Sequence, residues 1–136
     1  MNNIPHVGVG VCIKKEGKVL LGKRKGSHGE GSWGFPGGAL EYGEAWSVCA
    51  IRETEEETGI SIESVEFSFV SNDIFEKEQK HYVTIFVETE IENGDAAIIE
   101  PDECTEWDWF EWNNLPSPMF LPIVNAKNAG WKPKGL

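Results

Sequence analysis

The chain has 136 residues, which suits one domain with a hydrophobic core and leaves little room for two. Its 40% hydrophobic and 26% charged residues match an ordinary globular protein, and no apolar run approaches the length that spans a bilayer. The net charge of −11 argues against a nucleic-acid polymer or an anionic membrane as partner, since both require a basic footprint.

The first ten residues, MNNIPHVGVG, lack the basic and apolar regions of a secretory signal, so export is not expected. Val7, Val9, Val11 and Ile13 alternate with His6, Gly8, Gly10 and Cys12, which predicts a strand. Glu16-Gly17 is a turn signal, and residues 18–22 predict a second strand that completes a hairpin. Residues 26–38 are rich in glycine and read as a loop, with a short strand at Trp33-Gly34-Phe35. From Glu44 to Thr58 there is no Gly or Pro, which predicts a helix, and Gly59 stands where a C-terminal cap belongs. Val65, Phe67 and Phe69 predict a strand, as do residues 81–87 and 107–112, all rich in β-branched or aromatic side chains. Pro116 and Pro118 break the chain before a last helix over 119–129. This order implies a single α/β domain of the α+β kind, with a mixed sheet, over residues 1–136.

Cys12, Cys49 and Cys104 are widely spaced, odd in number and form no CxxC, which argues against a zinc site or a disulfide framework. Free thiols fit a reducing cytoplasm. Cys12 and Cys49 sit in apolar patterns and are expected to be small buried side chains rather than nucleophiles.

The chemistry concentrates in Arg52-Glu53-Thr54-Glu55-Glu56-Glu57-Thr58-Gly59. Residues three and four apart share a helix face, so Glu53, Glu56 and Glu57 are neighbours, while Glu55 falls elsewhere and Thr54 is expected to pack inward. Like charges at these spacings destabilise a helix, and carboxylates near its C-terminal end oppose the macrodipole. A divalent cation reverses both effects, and Mg²⁺ takes one or two carboxylates together with waters and substrate phosphates. Taken alone, the run also fits a solvated acidic face.

The run does not stand alone. Gly38 is followed by five residues and Glu44, then seven residues and Arg52-Glu53, then Glu56-Glu57, Gly59 and the apolar Ile60. This spacing over residues 38–60 resembles the Nudix box, with one departure: Thr54 stands where that family usually has an aliphatic residue. Phe35-Pro36-Gly37-Gly38 resembles the family's lead-in, and Trp109-Phe110 with Leu115-Pro116 its late strand and turn. Val7 to Val11, Leu20 to Ser27, Leu40 to Glu44 and His81 to Phe86 look most like the nucleotide triphosphate diphosphatase branch.

The resemblance implies a mixed sheet sandwiched between helices and a MutT-like pyrophosphohydrolase. Its expected reaction is Mg²⁺-dependent hydrolysis of a nucleoside triphosphate, oxidised or otherwise modified in some cases, to a monophosphate and pyrophosphate. Mn²⁺ is an expected substitute. It further implies that Glu53, Glu56 and Glu57 hold the metal and that Arg52 orients one of their carboxylates. Glu44 would serve the positive end of the helix dipole or the catalysis. Glu103 is the expected extra acid, with Glu100, Asp102 and Glu106 as rivals. Gly37 and Gly38 would leave room for substrate or metal, Arg24 and Lys25 would meet phosphate oxygens or simply end a solvated strand, and Phe35 and Trp33 would stack on a base or belong to the core. His6 and His81 are expected at packing or substrate-edge positions.

The partner is then a small nucleotide or another diphosphate compound, and the relatives resembled are often homodimers. ADP-ribose or another nucleoside diphosphate derivative is the alternative substrate. Dihydroneopterin triphosphate and a prenyl diphosphate follow. A binding module without catalysis would be expected to have lost box carboxylates that this chain keeps.

Overall fold

The computed structural model describes residues 3–26 and 28–136. Strands β1 (His6–Lys15), β2 (Lys18–Arg24), β3 (Trp33–Gly34) and β4 (Gly37–Ala39) precede helix α1 (Trp46–Thr58). Strands β5 (Glu66–Phe75), β6 (Lys80–Glu90) and β7 (Cys104–Glu111) follow, and helix α2 (Leu121–Asn128) comes last. The predicted strands, helices and first hairpin are all present, and β4 is an addition.

The strands form one mixed seven-stranded sheet. β1 pairs with β6 in parallel along nine residues, from His6 opposite Tyr82 to Lys14 opposite Glu90. Its other edge is divided. Lys14 and Lys15 pair with β2 through the Glu16-Gly17 turn, whose two residues both have positive φ, as a tight hairpin requires. Beyond that point β1 and β2 part. β4 takes over the β1 edge opposite Gly8 to Gly10, and β3 takes that of β2 opposite Gly22 and Lys23.

The alternation of β1 separates two cores. Val9, Val11 and Ile13 pack with Cys49 and Ala50 of α1 and with Ile60 and Ile62. Cys12 faces the other way, with Trp33, Phe35, Phe86 and the α2 residues Ile123 and Ala126. The sheet therefore lies between the two helices, and each fully buried Val, Leu or Ile contributes about 1.5–3 kcal/mol. Cys12 and Cys49 are buried within these cores and all three thiols are free. Among the described residues no helix is long and apolar enough to cross a membrane.

Of the boundaries that differ from expectation, three have a local cause. α1 begins at Trp46, because Gly43 in the left-handed region and the Glu44 amide bonded to the Glu41 carbonyl form a turn instead. α2 begins at Leu121, because Met119 bridges to Trp33 and Pro122 pre-sets the first helical turn. β5 runs on through Ser71-Asn72-Asp73, whose polar side chains hide a strand that pairs with β6 as far as Phe75 opposite Lys80.

Candidate active site

Helix α1 turns Cys49, Ala50, Thr54 and Thr58 into the protein. Gly59 closes it in the left-handed conformation, its amide bonded to the Glu55 carbonyl. Thr54 is fully buried, as its position predicts, and its Oγ1 has no hydrogen-bond partner among the described residues. Glu53, Glu56 and Glu57 border a cleft of about 550 Å³ instead.

Glu57 is the most enclosed of the three. Its Oε1 accepts a hydrogen bond from the Gly37 amide at 3.2 Å. Burial pushes its carboxyl up to about 8; the Gly37 bond opposes this, while Glu53, Glu100 and Glu103 add to it. Burial also raises Glu53, with Arg52 opposing and Glu56 reinforcing. Gly38 leaves the room that Glu53 occupies, since a Cβ at Gly38 would overlap the Glu53 carboxylate. A Cβ at Gly37 would strike the Val9 carbonyl oxygen.

Arg52 gathers four acids. It grips Glu44 with both arms of its fork, Nε to Oε2 at 2.9 Å and Nη2 to Oε1 at 3.1 Å. Its Nη1 donates to Glu53 at 3.2 Å and to Glu56 at 3.3 Å, and Glu41 lies 3.7 Å from Nη2. The bond to Glu44 raises the guanidinium further and holds the Glu44 carboxyl low. Glu44 stands before the helix, ahead of the N-cap Ala45, so its carboxylate serves Arg52 and not the first turn of the helix.

The acidic end of the cleft also receives Glu100 and Glu103, from the segment that leads into β7. Burial, then Glu103 and Glu56, raises the Glu100 carboxyl. Asp102 and Glu106 do not border the cleft, so Glu100 is the rival that the fold leaves beside Glu103. Arg24, Phe35, Gly37 and Gly38 all border it. Arg24 lies with its guanidinium carbon 3.8 Å from the Phe120 ring centre and its Nε bonded to the His28 carbonyl at 3.1 Å. Two residues do not arrive. Trp33 packs edge-on against Phe110 in the α2-side core, and Lys25 stays exposed outside the cleft.

The opposite end has walls the sequence did not single out. Tyr82, Thr84 and Phe86 of β6 crowd Gly8 and Gly10 of β1, and Phe120 and Ile123 also border the cleft. Glycine inside a strand marks a close approach, and Gly8 and Gly10 carry that signal. His28 joins them, stacked on Tyr82 with ring centres 5.0 Å apart. His6 packs against Tyr82 as a substrate-edge or packing residue should, whereas His81 is bonded to Asn72 at the strand surface.

Among the described residues no three acidic, His or Cys side chains already sit as a closed metal cage. Glu53 and Glu56 are drawn to Arg52, and Glu57 to Gly37. The donor set still fits a hard divalent cation: oxygen atoms only, on one side of one cleft, in surroundings that disfavour their unneutralised charge.

The family model of the NUDIX domain matches residues 4–130. The chain belongs to the Nudix family. This Nudix hydrolase is 32% identical over 118 residues to an ADP-ribose pyrophosphatase of Methanocaldococcus jannaschii, covering 85% of this chain and 68% of that one. It is 28% identical over 114 residues to an oxidized purine nucleoside triphosphate hydrolase of Danio rerio, covering 78% and 66%. Among solved structures, the MutT Nudix hydrolase of Burkholderia pseudomallei superposes with a TM-score of 0.83 at 31% identity, covering 91% of this chain and 97% of that one.

Proposed function

We propose that this Nudix hydrolase cleaves a nucleoside triphosphate, plain or modified, to a monophosphate and pyrophosphate, with Mg²⁺ as its ion and Mn²⁺ as a substitute. One observation carries the reading: a single cleft joins the acidic face of α1 to a slot with a glycine floor and aromatic walls. The acidic end suits ion-neutralised phosphates, and the slot suits a planar base.

Glu53, Glu56 and Glu57 would hold the ions. Mg²⁺ bound there neutralises phosphate charge and lowers the pKa of the attacking water. Arg52 keeps Glu53 and Glu56 aimed from one side, and the Gly37 amide fixes Glu57 from the other. A carboxylate takes the proton of the attacking water, whose oxygen bonds to one phosphorus while the bridging oxygen leaves with the other. Glu103 and Glu100, which also border the cleft, are our candidates for that task, and Arg24, another of its lining residues, is our candidate to meet phosphate oxygens.

The test is product analysis on a nucleotide panel with and without Mg²⁺, reading pyrophosphate from triphosphates and AMP from ADP-ribose. Release from triphosphates that stops when Mg²⁺ is chelated supports the reading; activity on ADP-ribose and on no triphosphate overturns it. ADP-ribose is the second reading, favoured by the name of the Methanocaldococcus jannaschii relative. The assembly we expect is a cytoplasmic homodimer, in keeping with the free thiols.

A further inference from the structure

Asp73 on β5 is completely buried, and the reaction above does not use it. Among the described residues its side-chain hydrogen-bond partners are all neutral. Ser71 Oγ donates to Oδ2 at 2.9 Å, Thr84 Oγ1 donates to the same oxygen at 2.6 Å, and Asn125 Nδ2 donates to Oδ1 at 2.9 Å. A carboxylate buried without a cation is costly, so its worth lies in what it orients.

Two of those partners are structural: Ser71 lies on the same strand and Asn125 ties α2 to the sheet. The third, Thr84, borders the cleft at its glycine-floored end. Thr84 sits on β6 opposite Gly8, and a Cβ added at Gly8 would lie 3.9 Å from Thr84 Oγ1. The space above Gly8 therefore reaches that hydroxyl. A threonine hydroxyl has one proton and two lone pairs. With its proton given to Asp73, it offers the cleft lone pairs only.

We propose that Asp73 fixes Thr84 Oγ1 as an acceptor-only group, so that this end of the cleft selects a heterocycle presenting an N–H or NH₂ donor. Thr84 is the specificity residue and Asp73 a positioning residue behind it. The inference rests on the nucleoside triphosphate reading and narrows it. A base without a donor there leaves the Thr84 lone pairs unpaired in a nearly closed site, since Thr84 is only 7% exposed. Sites built to bond one polar group reject analogues that lack it far more strongly than apolar pockets reject a missing methylene.

The experiment compares kcat/KM for ATP, GTP and purine riboside triphosphate, whose base has neither an exocyclic amino group nor a ring N–H. Wild type should favour the better of ATP and GTP over purine riboside triphosphate by at least about tenfold. Thr84→Val should shrink the gap to less than about threefold, and Thr84→Ser should keep it. Asp73→Asn, presenting an NH₂ to Thr84, should release the hydroxyl proton toward the cleft and turn the preference toward purine riboside triphosphate. If that variant does not fold, the Thr84 pair decides. A gap that is absent in wild type, or that survives in folded Thr84→Val, overturns the inference while triphosphate turnover upholds the proposed function. Absence of any triphosphate turnover overturns both.

Discussion

The Gly37 amide donates to Glu57 Oε1 at 3.2 Å, so the strand residue that pairs with β1 also anchors the most enclosed carboxylate of the site. The two adjacent glycines should therefore fail in different ways. Gly37→Ala drives a methyl into backbone, the Val9 carbonyl, and should cost about 1–3 kcal/mol of stability, read as a lower midpoint of urea unfolding. Gly38→Ala meets only the flexible end of Glu53, so the midpoint should hold while turnover falls by up to about a hundredfold. Equal effects of the two changes on stability would contradict this division.

Glu56→Gln and Glu57→Gln should each lower turnover by about 10²–10⁴-fold with the fold intact. The amide that replaces the Glu57 carboxylate would still offer an oxygen to the Gly37 N–H, and Glu56 is half-exposed, so neither change opens a hole. Circular dichroism checks the fold, and kcat at saturating Mg²⁺ checks the role. Near wild-type turnover in either variant would remove that residue from the ligand set.

Thr54 buries a hydroxyl that has no partner among the described residues. An unsatisfied buried group of this kind costs about 1–3 kcal/mol, and valine has nearly the same shape. Thr54→Val should raise the unfolding free energy and leave turnover unchanged. A fall in stability would mean that the hydroxyl is served in solution.

His28 gives a pH signature. Burial, with Arg24 and Lys80, lowers its pKa from 6.5 to about 4, against the opposing pull of Glu78. The unfolded chain then binds more protons between these values, so the contribution of His28 is fully present above pH 6.5 and is lost as pH falls through about 4. Phenylalanine keeps the ring against Tyr82 and Phe75 but does not titrate. The melting temperature of wild type relative to His28→Phe should therefore drop between pH 7 and pH 4. A constant difference would show that His28 titrates alike in both states.

The acidic face was legible because it is local: Glu53, Glu56 and Glu57 share one turn of one helix, and only helical spacing is needed to bring them together. The other end of the cleft takes residues from β1, β5, β6, α2 and the loop before β3, and no spacing along the chain joins them. Thr84 reads as one β-branched residue in a strand, and His28 as one more polar residue in a glycine-rich loop. β4 was invisible for another reason. Gly37-Gly38-Ala39 has little strand propensity, and it pairs because β1 has an open edge beside it once β2 has turned away. Trp33 stayed open between two readings because an aromatic beside a glycine suits a stacking platform and a core equally well, and Phe110 settles it for the core.

On the proposed reading, the glycine floor sets the direction in which this enzyme can change its substrate. Gly8 and Gly10 have nothing to remove, so every substitution there subtracts space, and a Cβ at Gly10 would already come within 3.2 Å of the Phe86 ring. Enlargement of the slot must come from its other walls, on β5, β6, α2 and the loop before β3. Preference can thus drift through these walls while the carboxylate face of α1, backed by the other core, is inherited unaltered.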